Sequence, residues 1–123
     1  MCFAKDGVFD IRARVPGRPH QLVEGRAAIR EFVSRHTRAP ELWHKHMLVE
    51  PKITVDGDSA TSEAYFAVLM EHGEEPILRV FGRYRDTLQR EADGEFRFVR
   101  RIAEIESMRA GLPPFIDGRP GLQ

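Results

Sequence analysis

The chain has 123 residues, of which 41% are hydrophobic and 31% charged, proportions of one soluble globular domain that exclude extended disorder, a collagen repeat or a membrane bundle. Nineteen basic residues balance nineteen acidic ones, leaving no net field to recruit nucleic acid or an anionic membrane. The single cysteine, Cys2, can form neither an intrachain disulfide nor a thiolate metal site, which predicts a reducing compartment. No apolar run approaches the roughly 18 residues of a membrane span, and Met1 to Asp6 lacks the apolar stretch of a signal peptide, so the expected location is the cytoplasm.

In chain order, Phe9, Ile11, Ala13 and Val15 alternate with Asp10, Arg12 and Arg14, the period of a half-buried strand over 8–15. Pro16, Gly17 and Pro19 end it. Ala27, Ile29, Phe32, Val33 and His36 then recur at helical spacing, predicting a helix over 25–37. Alternation returns beyond Pro40, with strand pieces at 44–50 and 53–55, a turn at Asp56-Gly57-Asp58, and a strand at 60–72. A turn at 73–76, a strand at 77–91, a turn at Ala92-Asp93-Gly94 and a strand at 95–106 follow. Strands joined by such short turns run antiparallel. The expected class is therefore α+β, a cone-shaped curved antiparallel sheet wrapped around a helix. Residues 1–111 form the domain, and the Pro- and Gly-rich stretch 112–123 reads as an irregular tail.

The alternation also sorts side chains by face. On the strand at 60–72 the even positions, including Phe66, Val68 and Met70, are the apolar set and end in His72. On the strand at 77–91, Leu78, Val80, Gly82, Tyr84, Asp86 and Leu88 share one face, against Arg79, Arg83 and Arg85. His44, His46 and Leu48 share a face of the preceding strand.

Several fragments carry a resemblance: Phe3 to Phe9, Glu24-Gly25-Arg26-Ala27-Ala28-Ile29-Arg30-Glu31-Phe32, His46-Met47, Ile53 to Ala60, Gly82-Arg83-Tyr84-Arg85-Asp86 and Asp93 to Phe98. In this order and spacing the sequence resembles the nuclear transport factor two-like superfamily, in its SnoaL-like, scytalone-dehydratase-like and ketosteroid-isomerase-like branch. The resemblance implies a cystatin-like α+β roll, a pocket histidine at His46, and a spacing from His46 to His72 similar to the paired histidines of the dehydratase-like members. It also implies an N-terminal helix that closes the cone and, in those members, brings a catalytic acid. This chain starts almost directly in its first strand, which predicts either an upstream start or an open pocket.

Four residues are candidate catalytic groups. His46 and His72 titrate near neutrality and suit proton transfer; Tyr84 suits donation to a ligand carbonyl; Asp86 suits orienting a histidine or acting as base. Trp43, His44, Phe66, Val68, Met70 and Val80 are the candidate ligand-binding wall. Each has a plain structural reading beside it: His46 as a hydrogen-bonded core histidine, His72 as an exposed turn residue, Tyr84 as a packing aromatic, Trp43 as a core cap, and Asp86 as the partner of Arg79, Arg83, Arg100 or Arg101. Arg83, Arg85, Arg97 and Arg101 read as a solvated or dimer-facing surface.

His44-Lys45-His46 followed by Glu50 and Gly57 has the spacing of a first cupin motif, but the leading glycine is replaced by Arg38 and no second motif follows, so no metal site is expected. No phosphate-cradling loop or activated serine or cysteine is present, and no cofactor is expected. The functional expectation is a SnoaL-like domain that binds a small apolar molecule, possessing either cofactor-independent isomerase, dehydratase or cyclase chemistry on a carbonyl compound, or no chemistry at all. In the second case it serves as a ligand-binding or assembly module, like the small subunit of ring-hydroxylating dioxygenases. A homodimer is expected through the outer sheet face, with Phe81, Val99 and Ile105 among Arg83 and Arg101.

Overall fold

A computed structural model of the chain describes residues 2–36 and 42–112. The elements are β1 (Phe3–Ala13), β2 (Gln21–Glu24), α1 (Arg26–Ser34), β3 (His44–Asp56), β4 (Ser59–His72), β5 (Glu75–Arg90) and β6 (Phe96–Met108). The six strands form one sheet in the order β2-β1-β6-β5-β4-β3. The long meander β3 to β6 turns on glycines; Gly57 and Gly73 hold positive φ angles of 59° and 65° that a side chain would resist.

The expected roll of a curved sheet around one helix is the observed architecture, with two refinements. β2, a short strand paired antiparallel to β1, lies where proline and glycine suggested only a break. β1 and β6 pair in parallel, so the sheet is mixed. Hairpin logic governs only neighbours joined by short turns, and the whole of the remaining chain separates these two strands. The helix expected over 25–37 closes at Ser34, and position 37 lies outside the described residues. Of the tail expected at 112–123 only Leu112 is described, half-buried against the core.

α1 crosses the β1 end of the sheet. It has no side-chain cap; instead Gly25, at φ 86°, donates its amide to the Gly7 carbonyl at 2.8 Å, and Arg26 Nε donates to the Phe3 carbonyl at 2.8 Å. The helix start is thereby tied to β1, and its apolar stripe lays Ile29 and Phe32 into the interior. The core that Phe32 joins consists of Ile11, Phe66, Val68, Met70, Val80 and Ile105.

Four irregularities decide which side chains face that core. A bulge between Val49 and Lys52 contains Glu50, at φ 51°. In β5, Arg79 is the extra residue between Leu78 and Val80. Leu78, expected inside, therefore turns out and is 46% exposed, while Arg79, expected outside, is buried with Nη1 on Met70 Sδ at 3.3 Å. In β6, extra residues at Val99 and Glu106 reverse the alternation twice. Arg101 and Ile105, both expected on the outer surface, consequently face inward, Ile105 at 8% exposure.

Candidate functional site

A small cavity of about 100 Å³ opens where the C-terminal end of α1 stands over the concave sheet face. β1 lines it with Phe9 and Ile11, and α1 with Phe32. His46 of β3, Phe66 and Val68 of β4, and Val80 and Tyr84 of β5 form the facing wall; Ala103, Ile105 and Met108 of β6 close the floor. His36, just past α1, completes the rim. Three polar groups, His36, His46 and Tyr84, thus meet in otherwise apolar surroundings, the usual composition of a small-molecule site.

Each group is placed by local structure. His46 lies opposite Val68 in the β3–β4 ladder, at the position where the resemblance implies a pocket histidine. Its imidazole is pushed down to about 4 by burial first and then by His44 and His36 nearby, so it is neutral at physiological pH. His46 is nonetheless an exposed residue of the edge strand β3, so its ring borders the cavity on one side and solvent on the other, and solvent screening moderates the downward push. Tyr84 packs face to face with Phe66, ring centroids 4.4 Å apart at 23°. Burial pushes the pKa of its phenol up, Arg101 works against that and Asp86 with it, so the hydroxyl stays protonated and able to donate. His36 stands edge-on to Phe32 at 5.4 Å, with Nδ1 3.3 Å from the Phe32 carbonyl oxygen. Sequence reasoning placed His36 only in the helical stripe; its spacing of four from Phe32 was the available signal.

The other candidates lie elsewhere. Asp86 does share the inner face with Tyr84, but its oxygens accept a two-pronged hydrogen bond from Arg101 at 2.8 and 2.9 Å. His72 is exposed at the far end of β4, opposite Glu75. Met70 is part of the core beneath the cavity, 2% exposed. His44 is one ring away from His46 at 5.4 Å, and burial lowers its proton affinity too. With Trp43, 53% exposed, it lines a separate shallow groove of about 380 Å³ beside the β4–β5 turn.

A further depression of about 370 Å³, with Lys52, Thr54, Thr61, Arg85 and Arg100 among its lining residues, excludes His46 and Tyr84. Near it Asp10, expected on a polar strand face, is fully buried and bound by Arg12, His20 and Arg100. Burial alone would raise its proton affinity, but hydrogen bonds from those three partners hold it well below the ordinary carboxylate range. Among the described residues no group of three or more His, Cys, Asp or Glu side chains is placed to hold a metal, and no helix is long and apolar enough to cross a membrane.

A family model described as a SnoaL-like domain matches residues 1–102. No curated protein matches the sequence. Among solved structures, Rv3472, a Mycobacterium tuberculosis protein of unknown function, is 27% identical with a TM-score of 0.70 over 87% of this chain and 57% of its own. The present chain therefore spans little more than half of that protein. A Catenulispora acidiphila protein, solved in complex with S-DNPA, is 30% identical with a TM-score of 0.64 over 85% of this chain and 73% of its own. A Novosphingobium aromaticivorans protein described as the beta subunit of an aromatic-ring-hydroxylating dioxygenase is 21% identical, with a TM-score of 0.68 over 89% of this chain and 75% of its own; at that identity the likeness is one of fold.

Proposed function

Because this chain belongs to the SnoaL-like domain family, within the nuclear transport factor two-like fold, we propose that its cone binds a small apolar carbonyl compound and moves a proton on it without a cofactor. One observation carries the reading: His46, neutral, and Tyr84, protonated, line the same apolar cavity. In this scheme His46 takes a proton from the carbon next to the carbonyl. Tyr84 donates a hydrogen bond to the carbonyl oxygen as negative charge gathers there. The resulting imidazolium is costly in this site, so it returns the proton readily, to a neighbouring carbon in an isomerisation or to a departing hydroxyl in a dehydration. Asp86, held by Arg101, takes no proton-transfer role. The relative solved with S-DNPA supports a ligand-binding cone.

Native mass spectrometry of the purified chain, followed by ligand titration of Tyr84→Phe and turnover assays of His46→Ala, tests this reading. A retained carbonyl ligand, bound about 10-fold more weakly by Tyr84→Phe and left unconverted by His46→Ala, is the expected result. Full binding and turnover in both variants overturns it.

A second reading, an assembly module without chemistry, draws on the outer sheet face. The ladder places Val49 beside Tyr65, Met47 and Phe81 on either side of Ala67, and Leu69 beside Leu78. Of these, Met47, Val49, Tyr65, Leu69, Leu78 and Phe81 are each 39–48% exposed. A contiguous apolar patch of this kind suits an interface, and we assign it to a second copy of the chain. Both readings are compatible with a homodimer, and the lone exposed Cys2 suits a reducing cytoplasm.

A further inference from the structure

We propose that Arg101 is the positioning residue for Tyr84: gripped by Asp86 and laid flat on the tyrosine ring, it fixes the ring in the cavity wall and sharpens its hydroxyl as a donor. The proposal rests on the reading of Tyr84 as the group that meets the ligand's oxygen.

The geometry is a layered column on the concave face. The Arg101 guanidinium carbon lies 4.0 Å from the Tyr84 ring centroid and 4.4 Å from that of Phe98. Phe66 already stacks on Tyr84 at 4.4 Å. Two planar groups cannot share one ring face at such distances, so Phe66 and Arg101 hold Tyr84 from opposite sides and leave its ring no room to tilt. Arg101 is itself anchored. Its Nε and Nη2 both donate to Asp86, whose side chain is 3% exposed while that of Arg101 is 22% exposed, and such a fork fixes the plane of the guanidinium as well as its place.

A cation against the face of a phenol in a poorly solvated site stabilises the phenolate and therefore strengthens the neutral hydroxyl as a donor. Arg101 opposes the upward effect of burial on Tyr84, while Asp86 adds to that upward effect. The arginine has the larger effect of the two, and the carboxylate's job is to aim it. Only the extra residue at Val99 turns Arg101 inward. Strict alternation would have put it among the solvated arginines, leaving Tyr84 with one stacked face and no cation on the other.

The chain has two tyrosines. Tyr65 sits on the outer face beneath Arg83, so in a Tyr65→Phe background the phenolate absorbance reports Tyr84 alone. The expected result is an upward move of its titration midpoint by about one pH unit in Arg101→Met, with a smaller move in Arg101→Lys, which keeps the charge but loses the planar stack. Because Arg101→Met leaves a buried carboxylate alone, the double variant Asp86→Asn/Arg101→Met, which removes both charges, is measured beside it and is also expected to titrate above the parent. A midpoint that stays at the parental value in the folded double variant overturns the proposal. The titration needs no ligand: if Tyr84→Phe binds as well as the parent while Arg101→Met still moves the midpoint, the ligand reading fails and the positioning role stands.

Discussion

Phe66 and Gly82 face each other across the β4–β5 ladder, and the ring of Phe66 occupies the space a side chain at position 82 would need. A β-carbon there would come within 2.9 Å of the Phe66 ring and 2.0 Å of the Glu104 carbonyl oxygen. Gly82→Ala is therefore expected to lower stability by about 2–3 kcal/mol through overpacking and to disturb the Phe66–Tyr84 stack. Urea denaturation, with near-ultraviolet circular dichroism for the ring packing, checks both; an unchanged midpoint contradicts this account of the cavity wall.

His46 predicts a pH dependence whose sign is set by its folded value of about 4 against an ordinary 6.5. As pH falls below 6.5 the unfolded chain binds this proton and the folded chain does not, so stability is full above 6.5 and declines toward 4. His44, also lowered by burial, acts in the same direction. His46→Phe should flatten the decline in a series of urea midpoints. A His46 resonance that titrates near neutrality in the intact protein would count against the site's electrostatics.

Asp10 behaves in the opposite sense. Its folded value lies well below the ordinary 3.8, so its contribution is present above that pH and fades only in stronger acid. Asp10→Asn is expected to cost about 1–3 kcal/mol at neutral pH, and the gap from the parent should narrow as the pH is taken below the ordinary carboxylate range. An equal gap at every pH would mean that packing, not the ion pairs, accounts for the loss.

Glu50 occupies the bulge of β3 at φ 51°, in left-handed backbone that costs a side chain energy. Glu50→Gly is predicted to raise stability by about 0.5–1 kcal/mol, the relief of strain slightly exceeding the added freedom of the unfolded chain. A lower melting temperature in that variant contradicts the prediction.

For the outer patch, the parent should run as a dimer in native mass spectrometry and Phe81→Glu as a monomer, since Phe81 is 44% exposed at the patch centre and a buried carboxylate there would be unpaired. A monomeric parent at micromolar concentration removes the interface.

Much of this molecule was readable from alternation. Phe66, Val68 and Val80 reach the cavity, and Tyr84 and His46 meet there, because a strand's period of two holds wherever no residue is inserted. The failures cluster at insertions. Arg79 reversed Leu78, and Val99 brought in Arg101. A bulge leaves no mark in hydropathy, since it depends on how the neighbouring strand shortens or twists. Asp10 was misjudged for another reason: its charge looks solvent-bound until Arg100, ninety positions later, covers it. His72 and Trp43 are drawn toward the site by residue type, yet neither lines the cavity: His72 ends β4 four positions past Val68, and Trp43, just before β3, belongs to the separate groove.

The parallel pairing of β1 with β6 also bears on how the molecule comes into being. During synthesis the β3–β6 meander can zip from one local turn to the next, whereas β1 must wait for β6 before its inner edge has a partner. α1 packs on β1 and β2, so its place over the meander depends on that same pairing. The wall bearing His46 and Tyr84 is thus built from local pairings, whereas the roof bearing Phe32 and His36 is brought over it by the longest-range pairing in the sheet.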